Sequence, residues 1–193
     1  MAILEIITLP DPRLKTVSEP VMNFDTSLAK LVKDMSETMA FAKGIGLAAI
    51  QVAVPKRLLI LDIGDLNDTK DYREGDDESE RKLASRRKKS LIEVYINPEI
   101  IESSGEVEFE EGCLSVPGVY SVVCRKKTIR LVFQGLDGKK QEIEADGLRA
   151  IALQHEIDHL NGVVFTDRLG PIQKMMVLKK YKKLQAAKED GNE

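Results

Sequence analysis

The order of apolar patterns along the chain predicts an α+β fold, with antiparallel sheets around a central helix and a further helix at the C-terminus. One helical pattern comes first, several strand patterns separated by short turn signals follow it, and two helical patterns come last. The chain has 193 residues, 42% of them hydrophobic, which is enough for the core of one domain. We therefore expect a single domain spanning residues 1–193.

The first part of the chain predicts a turning segment, a helix and a buried strand. Leu9-Pro10-Asp11-Pro12 is extended or turning, because a residue before proline avoids the α region. Asp25 is a favoured N-cap, and the helix after it is expected to run to about Lys43. Residues 57–63 are apolar enough for a buried strand. The apolar positions of the helix recur at helical spacing: Leu28, Leu31, Val32, Met35 and Met39.

A charged insertion is expected at about 64–90. The segment is acidic over 65–80 and basic over 81–89, and it has few large apolar residues. Such a composition cannot bury enough surface to form a core. A solvated insertion is therefore a better interpretation than a second domain.

The next segments predict strands and a hairpin. Two strands, at 91–96 and 100–101, flank a turn-like Asn97-Pro98. Two others, at 128–134 and 140–145, meet at the strong turn signal Leu136-Asp137-Gly138. Between these pairs, alternating residues predict one face of a further strand: Val107, Phe109, Glu111 and Cys113.

A basic, amphipathic helix is expected at about 171–189, with Pro171 in its first turn. Its inward side is predicted to consist of Ile172, Met175, Leu178 and Tyr181. The lysines expected to stay exposed are Lys174, Lys179, Lys180, Lys182, Lys183 and Lys188. Such lysines usually form only a solvated face, although here they cluster in a chain with a net charge of −3.

The helix before it, which Asp146 is expected to cap, contains the only two histidines of the chain, His155 and His159. Four positions on a helix correspond to about 40° of rotation, so both imidazoles can reach one metal ion. Leu148, Ile151 and Ala152 continue the same stripe, which places the histidines on the face expected to be buried. A solvated helix that carries two histidines by chance is the plainer alternative.

Two more residues complete a catalytic pattern around these histidines. Glu156 follows the first histidine, where a carboxylate stands beside the metal and handles the proton of a bound water. A catalytic centre usually has three protein ligands. The metzincin pattern would place the third at position 165, where this chain has Phe165. Cys113 can supply it, although alone it would more often be a small buried hydrophobe.

The segment 44–52 follows the first helix and contains two glycines. Such glycines most often form only a C-cap and a turn, and no Lys-Ser/Thr follows to indicate a phosphate loop. Small residues can also let the backbone of a peptide substrate approach closely. Gln51 is polar within an apolar run, and its buried amide can bind a substrate carbonyl.

Charge and targeting signals exclude several classes of protein. An acidic chain has no general affinity for nucleic acid. Residues 1–5 lack the basic region and apolar run of a signal peptide, and no stretch approaches the roughly 20 apolar residues that cross a membrane. We therefore expect a cytoplasmic protein whose two cysteines, Cys113 and Cys124, are free thiols.

Three segments together resemble the peptide deformylases. That family carries the motifs Gly-x-Gly-x-Ala-Ala-x-Gln, Glu-Gly-Cys-x-Ser and Gln-His-Glu-x-Asp-His. Residues 44–51, 111–115 and 154–159 match them at every motif position and in the family's order. The resemblance covers about 9–170 apart from the insertion. The C-terminal helix is similar to that of the class typified by Gram-negative and organellar enzymes.

The resemblance implies a metallohydrolase that removes the N-terminal formyl group from formyl-methionine of nascent polypeptides. It implies Cys113, His155 and His159 as metal ligands and Glu156 as general base and then acid. Gln51 and the backbone N–H of Leu114 would hold the oxyanion. The implied substrate-binding positions are Gly44, Ile45, Gly46, Phe109, Glu111, Gly112, Leu148, Ile151 and Ala152. For the apolar ones among them, ordinary core packing is the plainer alternative.

The resemblance also implies one divalent metal ion, normally Fe²⁺, with Zn²⁺, Ni²⁺ or Co²⁺ able to occupy the site. Sequence alone does not select among them, because a Cys/His₂ donor set suits several. The implied partners are formyl-methionine N-termini and, through the C-terminal helix, the ribosome. No membrane and no specific nucleic-acid sequence are expected.

Two other interpretations remain open on the sequence. A zinc endopeptidase would explain the His-Glu-x-x-His helix, but it would leave the Cys113 and Gln51 motifs as coincidence. A structural metal site is closed by four protein ligands. It would need Cys124 or a carboxylate as the fourth, and it would leave Glu156 unexplained.

Overall fold

The computed structural model describes residues 2–63 and 92–189. The predicted insertion at 64–90 lies outside the described residues, and so does the side chain of Lys188.

In the part of the chain that the structure describes, seven strands form two antiparallel sheets. Their bounds are β1 (Gly46–Ala48), β2 (Leu58–Leu61), β3 (Glu93–Ser104), β4 (Val107–Glu111), β5 (Ser121–Arg125), β6 (Thr128–Gln134) and β7 (Lys140–Asp146). The larger sheet has the order β1-β2-β3-β6-β7, and β4 pairs with β5 in the smaller one. Every pairing between these strands is antiparallel, and with the helices described below this confirms the predicted α+β class.

Within residues 2–63 and 92–189, three α-helices accompany these sheets: α1 (Thr26–Phe41), α2 (Gly147–Leu160) and α3 (Pro171–Glu189). Asp25 caps α1 as predicted, because its carboxylate accepts hydrogen bonds from the N–H groups of Ser27 and Leu28. Asp146 stands at the N-cap position of α2, but its side chain makes no capping hydrogen bond. It is still the last residue of β7, and Gly147 turns the chain with a φ of +52°.

The predicted turn at Asn97-Pro98 is wrong, because β3 continues through both residues. The register against β6 shifts between Ile96 and Glu99, so the two residues form an irregularity within the strand. Asn97 has a φ of +52°, which asparagine tolerates better than most residues. Its side chain holds this conformation by exchanging hydrogen bonds with the backbone of Val21.

The central helix α2 is buried on all sides from residue 150 to residue 160, whereas the sequence predicted one buried stripe. One side, which includes Leu153 and Ile157, packs in the core of the larger sheet. Towards the other side, the ring of His155 stacks on Phe165, with centroids 6.3 Å apart. Packing on both sides explains why polar residues of this helix are buried together with apolar ones.

The inward side of α3 differs from the prediction. Ile172 and Met175 are 74% and 64% exposed, while Val177 and Tyr181 are buried. The helix therefore packs through a row rotated from the predicted one. Tyr181 fixes this orientation, because its hydroxyl donates a hydrogen bond to the carbonyl of Leu9. The lysine prediction also needs one correction, since Lys174 is half-buried and paired with Asp167.

Candidate active site

Three predicted ligands converge at the centre of the molecule. Cys113 follows the end of β4, and His155 and His159 leave consecutive turns of α2. One ligand atom from each residue lies within 4.8 Å of the others, and all three side chains are buried. The Sγ atom of Cys113 is 3.2 Å from Nε2 of His159. Within residues 2–63 and 92–189, no other group of three such residues comes together.

The loop after β4 holds the cysteine in place. The N–H of Val116 donates to the carbonyl of Cys113 at 2.9 Å and closes a tight turn. The N–H of Ser115 reaches the sulfur at 3.4 Å. Cys124, by contrast, is exposed in β5 and takes no part in the group. The fourth protein ligand that a structural site would need is therefore absent from this cluster of described residues.

The electrostatics of the two histidines fit a bound cation. Burial, the neighbouring ring of His155 and the guanidinium of Arg125 lower the pKa of His159, which keeps that ring neutral as a ligand must be. Burial would lower the pKa of His155 too, but Cys113 and Glu111 raise it above its usual value. Because Cys113 and Glu111 favour positive charge beside them, they also favour a divalent ion next to His155. One sulfur and two imidazole nitrogens suit Fe²⁺ or Zn²⁺ well, so the residues present fit the implied metal.

Glu111 is one of the predicted substrate-binding positions, and its carboxylate also binds two other side chains. One oxygen accepts a hydrogen bond from Nδ1 of His155 at 2.9 Å, which leaves Nε2 of that ring for the metal. Arg125 donates hydrogen bonds to the same carboxylate from Nε at 2.6 Å and from a second nitrogen at 2.9 Å. Burial would raise the pKa of Glu111, but these hydrogen bonds outweigh it and lower the pKa to about 2.

Arg125 and Asp158 are functional neighbours that sequence reasoning missed. Arg125 donates to Asp158 at 2.5 Å, and Arg168 pairs with the same carboxylate. The result is a buried chain of ion pairs from Asp158 through Arg125 to Glu111, whose carboxylate also accepts a hydrogen bond from His155. The motif at 154–159 contains Asp158 and offered a signal for it. Arg125 lies in a short basic run whose sequence pattern resembles an ordinary solvated surface.

A cavity opens beside the ligands, and Glu156 lines it together with Gln51 and Leu114. The structure also brings every predicted substrate-binding position to its wall: Gly44, Ile45, Gly46, Phe109, Glu111, Gly112, Leu148, Ile151 and Ala152. Two of the apolar ones, Ile45 and Phe109, pack on a small core formed by Leu148 and Ile63. One end of the cavity is therefore apolar, and the end beside Cys113 and His155 is polar.

The amide of Gln51 has a defined orientation. Its Oε1 atom accepts a hydrogen bond from the N–H of Ala48 at 2.8 Å, which identifies the oxygen side of the group. The Nε2 atom lies 3.2 Å from Oγ of Ser115 and 3.6 Å from Sγ of Cys113. The side chain therefore presents N–H donors at the ligand end of the cavity.

The arrangement agrees with the similarity of this chain to known proteins. The family profile described as polypeptide deformylase matches residues 3–175. The peptide deformylase of Novosphingobium aromaticivorans is 50% identical over 188 residues, which cover 97% of this chain and 100% of that one. That of Erythrobacter litoralis is 48% identical over 193 residues, with the same coverage.

Solved structures give the same result. The crystal structure of a peptide deformylase from Legionella pneumophila is 44% identical, with a TM-score of 0.78, and the match covers 96% of this chain and 98% of that one. A plant peptide deformylase is 30% identical, with a TM-score of 0.80 and coverage of 97% and 92%. None of the helices in the described residues is long and apolar enough to cross a membrane. The chain belongs to the peptide deformylase family.

Proposed function

We propose that this chain removes the formyl group from N-terminal formyl-methionine of nascent polypeptides, with one divalent ion held by Cys113, His155 and His159. The observation that carries the proposal is the meeting of these three buried ligands with Glu156 and Gln51 at one cavity. Family membership supports the same reaction. Water adds to the formyl carbon, the C–N bond breaks, and formate and a free N-terminal amine are released.

The positions of the protein groups at the cavity support the roles that we propose for them. A divalent ion held by Cys113, His155 and His159 would supply Lewis acidity, which would polarise the formyl group and make the attacking water more acidic. Glu156 accepts the proton of the attacking water and transfers it to the departing amine nitrogen. Gln51 Nε2 and the N–H of Leu114 donate to the formyl oxygen as negative charge grows on it.

The substrate backbone is expected to bind as an extended strand. β1 lies at one end of the larger sheet, and β4 pairs only with β5 among the described residues. Both strands contribute residues to the cavity wall, including Gly46 and Phe109. Their open edges can hydrogen-bond a peptide between them, which is a recurrent mode of peptide recognition.

The apolar end of the cavity is proposed to receive the methionine side chain, and Ala152→Phe tests this. The larger ring should fill the pocket and raise KM for a formyl-Met peptide by at least about tenfold, while metal content stays unchanged. A formyl-Ala peptide, which needs less room, should be affected less. Ala29→Phe places the same ring on an exposed face of α1 and serves as a control.

The outcome is read from steady-state kinetics on both peptides, with acetyl-Met and internal peptides as further substrates. Unchanged KM in a folded Ala152→Phe protein would remove this residue from the pocket. Cleavage of the internal peptide would favour the endopeptidase interpretation instead.

We further propose Fe²⁺ as the resident ion, cytoplasmic action on chains emerging from the ribosome, and one domain across residues 1–193. The resemblance supports the iron, and the donor set also binds Zn²⁺, Ni²⁺ or Co²⁺. The nature of the substrate supports the compartment. The family profile, which matches residues 3–175, supports the single domain.

The exposed face of α3 is proposed to dock on the ribosome. Among the described side chains of this helix, four lysines project into solvent: Lys179, Lys180, Lys182 and Lys183. Their separation from the acidic remainder of the chain creates a local positive surface suited to phosphate-rich RNA. Large apolar side chains near the start of the helix add contact area: Ile172, Met175 and Met176.

Reversing these charges is a sharper test than removing the helix. Val177 and Tyr181 pack in the cluster that contains Cys113, so truncation would disturb the site itself. Changing the four exposed lysines to glutamate should reduce co-sedimentation with ribosomes by at least about tenfold at low salt, because phosphate contacts dominate such binding. Turnover of a short formyl-Met peptide should not change.

The matched control changes four exposed lysines elsewhere to glutamate: Lys33, Lys56, Lys127 and Lys140. It alters the net charge equally and should leave co-sedimentation largely intact. Equal loss in both variants would contradict specific docking through α3.

A further inference from the structure

Gly46 lies directly against the proposed catalytic carboxylate. A Cβ atom built on this glycine would overlap Oε1 of Glu156 and would lie 3.0 Å from its Cδ and Cγ atoms. The three nearest atoms to such a methyl group therefore all belong to one side chain. Glu156 is only 5% exposed, so its carboxylate is confined at this point between α2 and β1.

The backbone at this position does not itself require glycine. Gly46 is an ordinary β1 residue, paired with Leu61 of β2, and it is not among the residues with positive φ. Alanine can adopt this conformation without strain. The backbone conformation at position 46 therefore allows a side chain, and the contact with Glu156 is what leaves no room for one.

We infer that Gly46 is a positioning residue for Glu156: because glycine has no side chain, it leaves free the space that the catalytic carboxylate occupies. The stem of Glu156 is fixed by helix α2, and the surface of Gly46 limits which rotamer the carboxylate can adopt. General-base catalysis depends on this placement, because a displacement of about 1 Å costs on the order of 10²-fold in rate. The inference rests on the proposed role of Glu156.

The neighbouring glycine of the same motif has a different neighbour. A Cβ atom on Gly44 would lie 2.7 Å from Cδ1 of Leu114, which is the far end of a flexible side chain. Gly170, outside the cavity, has nothing within 4 Å of a built Cβ. Alanine at position 46 would therefore contact Glu156, and alanine at position 44 would contact Leu114. Alanine at position 170 would contact no other described residue.

The first measurement is the kinetics of the metal-loaded Gly46→Ala protein. We expect kcat to fall about 10²-fold, because the carboxylate is displaced. KM should change less than about threefold, and one metal ion should remain bound per chain, since a displaced base leaves substrate and metal contacts intact. Gly170→Ala should match the unmodified chain in all three quantities.

The decisive measurement is a double-mutant cycle. In a Glu156→Gln background the base is already lost, so Gly46→Ala should reduce the remaining kcat by less than about threefold. Gly44→Ala should act by the same factor in both backgrounds. If Gly46→Ala costs as much in the Gln background as alone, the positioning role is refuted while the base role stands. A near-normal rate for Glu156→Gln alone would refute the base role first.

A stability cycle covers the case in which Gly46→Ala impairs folding. Glu156→Ala removes the side chain that the new methyl group would meet. Gly46→Ala should therefore lower the unfolding temperature of the metal-loaded chain alone, but not in the Glu156→Ala background. An equal decrease in both backgrounds would show that another neighbour requires the glycine and would overturn the inference.

Discussion

Replacing Cys113 with alanine is expected to abolish metal binding and deformylation together. The residue supplies the only sulfur of the ligand group, and the two histidines that remain leave a site with too few protein donors. Cys113→Ser should also lose most of the metal, because a hydroxyl is a poorer ligand for a soft ion than a thiolate. Metal content per chain and formate release on the same preparation measure both effects.

The matched control is Cys124→Ala, which removes the other thiol. Cys124 is exposed and lies outside the group, so metal content and turnover should remain normal. A Cys113→Ala protein that keeps a full complement of metal would refute the assignment of this ligand.

The second large effect is expected for Glu156→Gln, which should retain metal and lose turnover. The amide has the shape of the carboxylate but cannot accept a proton, so kcat should fall by at least about 10²-fold. Glu156 is not one of the three ligands, and the metal content should therefore stay at one ion per chain.

Two comparisons make this result specific. Glu110→Gln changes an exposed carboxylate of β4 and should leave kcat unchanged. Gln51→Ala should lower kcat more than it weakens substrate binding, because its N–H donor acts on charge that develops during the reaction. A near-normal rate for Glu156→Gln would require another base.

The site was more predictable from the sequence than the surroundings that hold it. The spacing of His155 and His159 determines their geometry on any helix, and a two-histidine site needs a further ligand. Cys113 was a candidate for that ligand, and the resemblance of residues 111–115 to a family motif distinguished it from other candidates. These arguments depend on local geometry and on chemistry that few side chains can perform.

Features set by tertiary packing were not predictable in the same way. Arg125 binds Glu111 across the β4–β5 pair, and nothing in its own neighbourhood along the chain marks it as buried. The inward row of α3 follows from the contact of Tyr181 with Leu9, which are 172 positions apart. Asn97 was expected in a turn, yet its side-chain bonds to Val21 allow the strand to continue.

X-ray absorption spectroscopy of the metal-loaded chain tests the central claim most directly, because it reports the atoms bound to the ion. We predict one sulfur at about 2.3 Å and two imidazole nitrogens at about 2.0–2.1 Å for the Zn²⁺ form. The sulfur shell should be missing from any metal retained by Cys113→Ser and unchanged in Cys124→Ala. A first shell without sulfur, or one with two sulfurs, would contradict a centre built from Cys113, His155 and His159.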